Sequence, residues 1–235
     1  MNKVIAIIDS ELGAGGGFDQ AVNALLQMKR LSQGRFVFEA ITTRKSNLNR
    51  LHSLGMEASL KKITIIDHLV SLIPHSIFLQ VIQKKLKLIG PFEKFLLKRK
   101  CDLVYFVNPG VIVGILQKLN YINTVWDLCH RQSLEFPEVR DFSTYHIREQ
   151  YYRASIGSAV LTLTDSKELS DMIEKYYGTD RDRLLEMPFG PTPFSDDNEL
   201  DNTKNSEATP WRECEYFYYP AQFWPHRNHK RILDA

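Results

Sequence analysis

Short apolar runs alternate with helix-like patterns over the first two thirds of the chain. Val4–Ile8 is a continuous apolar run bounded by Asp9 and a glycine-rich segment, which is typical of a parallel strand that helices cover on both faces. Strands that alternate with helices indicate right-handed crossovers, so the pattern predicts an α/β fold with a doubly wound parallel sheet. Further strands are predicted at 36–42, 63–66, 103–107, 122–126 and 159–164.

Helical patterns separate these strands. Apolar residues recur at helical intervals directly after the first strand, and helices are also predicted at 46–54 and 145–157. Asp165 and Ser166 form an N-cap signal for one more helix. That helix is expected to end at Gly178, because glycine readily adopts the left-handed conformation that stops a helix.

The composition changes after Met187. Residues 195–209 hold five acidic side chains and little apolar surface, too little to offset the chain entropy lost on ordering. The aromatic run 215–219 predicts a new strand and 228–235 begins a helix, but so short a segment cannot form a core. We therefore expect either a truncated second domain or another polypeptide that supplies the rest. The predicted organisation is a first domain over 1–190, an acidic linker over 191–213 and the start of a second domain over 214–235.

Composition and charge exclude several classes of protein. The chain has 235 residues, 43% of them hydrophobic and 25% charged, which is an ordinary globular composition. Thirty basic residues against 28 acidic ones give a formal net charge of +2, so no basic field points to nucleic acid. Three dispersed cysteines suit a reducing compartment, and no apolar run is long enough for a signal peptide or a transmembrane helix. We expect a cytoplasmic protein.

The first candidate site is the glycine-rich segment Gly13–Gly17, between the first strand and the first helix. Glycines there let backbone amides approach a ligand, and the helix N-terminus favours an anion. The dinucleotide fingerprint would need glycine where Phe18 stands, which argues against a nicotinamide-dependent oxidoreductase. Asp19 disfavours a second negative charge, so a neutral polar ligand is as plausible as a phosphate. A plain flexible turn is the alternative.

A second candidate follows the predicted strand 122–126. Asp127, His130 and Arg131 lie there, with two glutamates soon after them. Ligands of doubly wound sheets bind outside the carboxyl ends of the strands, so such a cluster can hydrogen-bond sugar hydroxyls or transfer protons. Histidine is the side chain best suited to exchange a proton near neutral pH. The alternative is an aspartate that caps a turn and a histidine that satisfies buried carbonyl groups.

A third candidate is the basic and apolar stretch 77–100. It holds seven basic residues against a single glutamate, with apolar residues at helical intervals. Basic amphipathic helices can lie on an anionic membrane surface, where each cation contributes roughly 1 kcal/mol. The stretch therefore predicts peripheral contact with the inner membrane face through Lys84, Lys85 and Lys87. Two ordinary crossover helices with solvated lysines are the alternative.

The fourth candidate is the stretch 219–229, where a predicted strand leads into a turn. Arg227 near a helix N-terminus could hold a diphosphate through charge-assisted hydrogen bonds. His226, Asn228 and His229 are polar enough to ligate a metal, but no carboxylate or cysteine accompanies them in the sequence. No metal is therefore expected.

Together these segments resemble the retaining glycosyltransferases of the GT-B fold, in the large family 4 group. The resemblance implies two Rossmann-like domains that face each other across a cleft, with the acceptor-side domain and the start of the donor-side domain in this chain. It implies transfer of a sugar from a nucleotide-sugar donor to a glycan or lipid-linked acceptor in polysaccharide biosynthesis, without a metal cofactor. The segments that carry it are Gly15–Gly17, Trp126–Glu138, Ala159–Ser166, Met187–Gly190 and Tyr219–Asn228.

The resemblance also implies roles in donor binding. These would fall to Gly15, Gly16 and Gly17 in the first domain and to Gln222 and Arg227 in the second. Gln222 stands where the family commonly has an arginine. The loss of that cation weakens unaided binding of a diphosphate.

Catalysis and acceptor binding would fall to the segment after the fifth strand. Asp127 matches the aspartate of the family's His-Asp pair, while Trp126 occupies the histidine position and leaves His130 to take over the polar role. These two, Asp127 and His130, are the implied catalytic residues. The implied acceptor-binding residues are Asn108, Trp126 and Arg131.

Two functions stay open at the level of sequence. The leading one is the N-terminal part of a hexosyltransferase or similar glycosyltransferase, weakly active alone because most of the nucleotide pocket is missing. The alternative is a non-catalytic acceptor-side subunit of a split glycosyltransferase, whose exposed aromatic residues bind a separate donor-domain polypeptide. Glu199 and Glu207 have the spacing of the family's E-x7-E motif but lie in the acidic linker, so that match is treated as chance.

Overall fold

The computed structural model describes residues 1–11, 16–71, 73, 76, 81, 85, 89–190, 215–219, 221 and 223–234. Over these residues the chain forms a seven-stranded sheet in the order β3-β2-β1-β4-β5-β6-β7. Every strand pairing is parallel, as the apolar runs predict. The strands are β1 (Lys3–Ile8), β2 (Val37–Thr42), β3 (Ala58–Leu60), β4 (Leu103–Phe106), β5 (Asn120–Thr124), β6 (Leu161–Thr164) and β7 (Leu184–Glu186).

Helices lie on both faces of this sheet. They are numbered here along the described residues. The α-helices are α1 (Gly16–Ser32), α2 (Ser46–Ser53), α3 (Ile65–Ser71), α4 (Pro91–Lys98), α5 (Cys129–Gln132), α6 (Pro137–Arg140), α7 (Phe142–Ser158), α8 (Lys167–Tyr177) and α9 (His229–Leu233). Short 3₁₀ turns occur at Val111–Ile115, Arg181–Arg183 and Pro225–Arg227.

The central strand β1 shows why its sequence is apolar throughout. Ala6 and Ile8 belong to the buried cluster that packs against α1, whereas Ile5 and Ile7 belong to the cluster that packs against α4 on the opposite face. Successive side chains of a strand point to opposite faces, so a strand covered on both sides needs apolar residues at every position. The doubly wound α/β sheet is therefore confirmed.

The third strand was wrongly predicted. The third strand is β3, whereas Ile65 and Ile66, half of the predicted run 63–66, begin helix α3. The Asp67 carboxylate accepts hydrogen bonds from the Thr64 amide (2.9 Å) and hydroxyl (2.7 Å), and the Asp67 amide donates to that hydroxyl (3.2 Å). This reciprocal cap favours a helix and overrides the β-propensity of the isoleucines.

Three further differences concern strand ends and the C-terminal segment. Strand β5 ends at Thr124, two residues earlier than predicted, and the short strand β7 was missed. Residues 215–219 are exposed and form no strand, because no strand of the sheet pairs with them. The predicted linker 191–213 lies outside the described residues.

The predicted start and end of α8 agree with the structure. Ser166 caps the helix, since its hydroxyl accepts a hydrogen bond from the Leu169 amide, and Gly178 ends it with a φ of 66°. Of the lysines expected to contact a membrane, Lys85 is exposed, while Lys84 and Lys87 lie outside the described residues. Within the described part of the chain, no helix is both long and apolar enough to cross a membrane.

Candidate functional site

The strand order of the sheet reverses between β1 and β4, and the carboxyl ends of these two strands form the switch point. Such a switch point is where doubly wound sheets bind their ligands. Asp9 follows β1 and Asn108 follows β4, and the Asp9 amide donates to the Asn108 side-chain oxygen at 3.2 Å. The Thr43 hydroxyl donates to Asp9 Oδ1 at 2.8 Å, and a Cβ at Gly110 would lie 2.9 Å from Asp9 Oδ2. A carboxylate is thus held at the switch point by loops from three strands.

Asp9 was not among the residues predicted from sequence, although its position directly after the first strand was a usable signal. Burial raises its pKa, and the hydrogen bond from Thr43 and the charge of Arg44 offset this only in part. Perturbed carboxylates at a sheet edge are candidates for function. Asn108, in contrast, is 2% exposed, and its amide nitrogen donates to the Pro109 carbonyl (3.0 Å). It joins two loops in the interior and does not reach outward, as acceptor binding would require.

Two of the predicted segments meet at Trp126. A Cβ at Gly17 would lie 2.6 Å from the Trp126 ring, so only glycine allows α1 and the indole to approach this closely. The glycine was expected to make room for a ligand; in the structure it makes room for this side chain. Gly16 begins α1, and Gly15 lies outside the described residues. The N-terminus of α1 and the end of β5 therefore form one continuous edge.

Asp127 is held in place but remains accessible. Arg148 of α7 donates to its Oδ1, and the Cys129 amide donates to the same atom at 3.0 Å. The Tyr152 hydroxyl donates to the Asp127 carbonyl at 3.1 Å. Burial raises the pKa of Asp127, but Arg148 and the Cys129 amide more than offset it, so the pKa is lowered and the group is ionised at neutral pH. Its side chain is 43% exposed, so a ligand hydroxyl can reach it.

His130 lies in the core and not at the open edge, contrary to its expected place among the catalytic residues. The ring is fully buried, stacks on Tyr152 with 5.5 Å between ring centres, and has Nε2 3.2 Å from Glu149 Oε2. Burial lowers the pKa of His130, and the charge of Arg148 lowers it further. The alternative, a histidine that satisfies buried carbonyl groups, does not hold either, because Nε2 faces the Glu149 carboxylate and Nδ1 has no hydrogen-bond partner among the described residues.

Arg131 forms an ion pair with Glu149. Its Nε donates to Glu149 Oε2 at 2.8 Å and a second guanidinium nitrogen donates to Oε1. Glu149 further accepts from Arg153 Nε (2.7 Å) and from the Tyr177 hydroxyl (3.2 Å). Although burial raises the pKa of Glu149, these donors, Arg131 foremost, lower it to about 2. We call Glu149 and its donors the Glu149 hub; it secures helix α5 and engages the Arg131 guanidinium, whose side chain is only 18% exposed.

The C-terminal turn Pro225–Arg227 lies beside the same edge. Glu138 Oε1 accepts from the His226 amide (3.2 Å) and lies 3.0 Å from His226 Nδ1. Arg227 is exposed. Burial raises the pKa of Cys129, and the charge of Arg227 opposes part of that rise. The predicted donor cation thus lies near the segment that carries Asp127. Gln222, its predicted companion, lies outside the described residues.

Sequence reasoning missed Arg148 and Glu149. They are consecutive residues in the middle of α7, where nothing in the local pattern distinguishes them from solvated charges. Their partners lie 18 to 21 residues away in the chain. Only the packing of α7 against α5 shows that Arg148 binds Asp127, at one end of the predicted site, and that Glu149 binds Arg131, at the other.

Comparison with known proteins gives the fold. No family model and no curated protein matches the sequence. A Listeria monocytogenes protein assigned as a UDP-N-acetylglucosamine 2-epimerase matches over 78% of this chain and 44% of its own, with 11% identity and a TM-score of 0.50. A glycosyltransferase of Rickettsia africae matches over 86% and 48% (10% identity, TM-score 0.47). UGT89C1 of Arabidopsis thaliana, solved with UDP, matches over 83% and 51% (15% identity, TM-score 0.45).

The match to the Listeria protein, at a TM-score of 0.50 and 11% identity, supports the α/β, Rossmann-like fold and goes no further. The chain spans about half the length of these structures. Family 4 membership stays a prediction from the sequence. The chain therefore has an α/β, doubly wound Rossmann-like sheet whose carboxyl edge gathers Asp9, Gly17, Trp126 and Asp127.

Proposed function

We propose that this chain is the acceptor-side part of a glycosyltransferase of the family 4 type, which transfers a sugar from a nucleotide-sugar donor to a glycan or lipid-linked acceptor. The observation that carries the proposal is the common location of three separate segments. The N-terminus of α1, the Trp126–Asp127 pair and the Arg227 turn lie along the carboxyl edge of one doubly wound sheet. Ligands bind at that edge in such folds.

The residues divide into donor and acceptor roles. The α1 N-terminus at Gly16 and Gly17, together with Arg227, would stabilise the charge of the departing diphosphate, in place of a metal ion. Asp127 is ionised and accessible, so it would accept the hydrogen bond of the acceptor hydroxyl and orient it. Trp126 would pack on the acceptor. His130 and Arg131 would act indirectly, through the Glu149 hub that positions α5.

The donor side is tested by calorimetric titration of the chain with UDP-glucose, UDP-N-acetylglucosamine and GDP-mannose. We expect weak but saturable binding of at least one of them, as for a chain that holds only the acceptor-side part. Binding should be about tenfold weaker still after Arg227→Gln, because a charge-assisted contact to the diphosphate is lost. Arg231→Gln is the matched control, since Arg231 is an exposed cation of the adjoining helix α9. The proposal fails if none of the three binds or if both variants lose equal affinity.

The same samples distinguish transfer from a reaction on the donor alone. Epimerisation of UDP-N-acetylglucosamine at C2 without any acceptor would favour the activity for which the Listeria protein is described. Transfer requires a second substrate, and its rate would depend on acceptor concentration. A rate that is independent of added glycan therefore contradicts the transferase proposal.

A second candidate function is that of an acceptor-side subunit that binds a separate donor-domain polypeptide. It is favoured by the exposure of large apolar side chains near the C-terminus, which include Tyr216–Tyr219, Phe223, Trp224 and Leu233. Such residues are enriched in protein interfaces. The reading frame downstream of codon 235 separates the two: a continuous frame with an E-x7-E motif favours one longer enzyme, whereas a stop codon beside a donor-domain gene favours the split form.

A further inference from the structure

Helix α8 borders an elongated hollow that we call the α8 groove. Its inner part, about 280 Å³, lies beside the carboxyl ends of β5 and β6, and its outer part, about 400 Å³, runs along the helix. Glu168 and Met172 line both parts, so the two adjoin each other. From Lys167 to Tyr176 the groove follows roughly 14 Å of helix at ~1.5 Å per residue, which exceeds the length of one sugar ring.

Aromatic side chains stand at both ends of the groove. Trp126 lines the inner part and Tyr176 the outer part, with Met172 between them. Both rings are held: Trp126 by its contact with α1 at Gly17, and Tyr176 by the Arg131 guanidinium, 4.9 Å from its ring centre. Rings that are fixed before binding lose little entropy when the apolar face of a sugar packs on them.

The polar lining of the inner part favours an uncharged ligand. Asp127, Asp165 and Glu168 line it together with the polar side chains Gln132 and Ser166, and no lysine or arginine is among its lining residues. Arg148 compensates only Asp127. The outer part adds Asp171 and also two lysines, Lys167 and Lys175, so the groove as a whole is lined by four carboxylates and two ammonium groups. In the inner part, a phosphate or uronate would therefore face two further carboxylates and be repelled, whereas sugar hydroxyls would find hydrogen-bond acceptors.

A cation is not the ligand that this lining suggests. Within the described residues, no group of three or more His, Cys, Asp or Glu is arranged to hold a metal ion. Asp127 is already paired with Arg148, and Asp165 Oδ1 accepts from the Ser166 hydroxyl at 2.9 Å. The carboxylates are spread along the groove and are interleaved with apolar side chains. This mixed lining suits a carbohydrate, whose rings present both hydroxyls and C–H faces.

We propose that the α8 groove binds an uncharged oligosaccharide of at least two sugar units. The inference rests on the proposed function in one respect: the oligosaccharide is the acceptor of the transfer reaction. The acceptor is then a neutral glycan, and neither an acidic polysaccharide nor a phosphorylated lipid headgroup. Asp165, Glu168 and Tyr176 become specificity-determining residues in addition to Trp126 and Asp127.

The test is calorimetric titration of the chain with neutral and acidic trisaccharides. The neutral probes are cellotriose, maltotriose and chitotriose, and the acidic probe is trigalacturonic acid. We expect at least one neutral trisaccharide to bind at least tenfold more tightly than the acidic one. The proposal is overturned if no neutral trisaccharide binds more tightly than trigalacturonic acid.

Variants of α8 locate the binding. Glu168→Gln is expected to weaken neutral binding several-fold and to reduce the discrimination against trigalacturonic acid, because one repelling charge is gone. Glu174→Gln is the matched control, since Glu174 is an exposed glutamate of the same helix that does not line the groove. Equal effects of the two substitutions would place the ligand elsewhere and contradict the proposal.

Failure of this inference is distinguishable from failure of the proposed function. Nucleotide-sugar binding is measured in separate titrations and depends on Arg227, which does not line the groove. Binding of a neutral trisaccharide without nucleotide-sugar binding supports the groove and contradicts the transferase. The reverse result retains the transferase and contradicts the groove.

Discussion

Trp126 and Asp127 end in a different environment from His130 and Arg131, although only two residues separate the pairs. The first pair lines the open edge of the sheet, and the Asp127 side chain is 43% exposed. The second pair is bound to Glu149, and His130 is fully buried. The two pairs bind adjacent residues of helix α7. Arg148 binds Asp127, and Glu149 binds His130 and Arg131.

The contrast shows that a cluster of polar residues in sequence is not yet a site. Both Asp127 and Glu149 are ionised, and their donors lower the pKa of each. Glu149, however, is surrounded by four donors and is 9% exposed, so its charge serves the fold. Asp127 keeps an exposed oxygen, so its charge is available to a ligand. Accessibility, not charge or pKa alone, separates the two roles.

The largest expected effect is on stability and concerns the Glu149 hub. Glu149→Gln removes the one negative charge that His130, Arg131 and Arg153 share, and breaking a buried ion pair by removing one partner costs ~3–5 kcal/mol. Since Arg131 is partly exposed, we expect a loss of about 3 kcal/mol in the free energy of unfolding. Urea denaturation followed by circular dichroism measures it.

Arg153 provides the control for this prediction. It binds the same carboxylate, but its side chain is 61% exposed, so Arg153→Gln is expected to cost less than about 1 kcal/mol. Arg131→Gln should fall between the two. If Glu149→Gln and Arg153→Gln destabilise the protein equally, the hub is not a structural anchor and the contrast with Asp127 is wrong.

A somewhat smaller effect is expected where the open edge is packed most closely. Gly17→Ala places a methyl group 2.6 Å from the Trp126 ring, and overpacking of this kind costs ~1–3 kcal/mol. We expect a loss of about 2 kcal/mol and a shifted tryptophan emission, because the indole must move.

Gly157→Ala is the matched control for that substitution. Nothing lies within 4 Å of a Cβ at Gly157, and alanine is the better helix former, so stability should rise by about 0.5–1 kcal/mol. Equal changes for the two alanine variants would show that Trp126 does not press on α1.

How acid affects stability follows from the same hub. The pKa of folded Glu149 is lowered to about 2 from 4.5, so its stabilisation is complete above pH 4.5 and is lost as the pH falls towards 2. The pKa of His130 is also lowered from 6.5, so protonation below that pH favours the unfolded chain. Both groups make stability fall with falling pH, His130 first.

Denaturant midpoints measured from pH 7 to pH 3 test this sign. We expect a gradual decline below pH 6.5 and a steeper one below pH 4.5. In His130→Gln the first part of the decline should flatten, while the second part should remain. A wild-type midpoint that rises on acidification would contradict the burial of a neutral histidine.

The sheet could be predicted from the sequence because its determinants are local. The run Val4–Ile8 must be apolar at every position to be covered on two faces, and Gly178 has a positive φ that other residues adopt at a cost. The helix at Ile65 could not be predicted from apolar content alone. This segment forms a helix and not a strand because of the cap between Thr64 and Asp67.

The candidate site was only half predictable, for a different physical reason. That Trp126 and Asp127 lie at a strand end follows from the order of elements. His130 and Arg131 bind Glu149, and this depends on how α7 is rotated against α5. The partners are 18 or 19 residues apart in the chain. The contact between Trp126 and Gly17 spans more than a hundred residues and has no local signature. The rotation of a helix about its own axis is set by packing, and packing is a property of the whole core.

The smallest expected change in stability is also the most informative one for function. Asp127→Asn keeps the shape of the side chain but removes its charge, and a partly exposed ion pair such as that with Arg148 contributes ~0–1 kcal/mol. The free energy of unfolding should therefore change by less than about 1 kcal/mol. Sugar transfer, measured with the nucleotide sugar and trisaccharide that bind most tightly, should fall at least ~100-fold if Asp127 orients the acceptor hydroxyl. A destabilisation as large as that of Glu149→Gln, or an unchanged transfer rate, would place Asp127 with the structural residues and remove the distinction between the two ends of this segment.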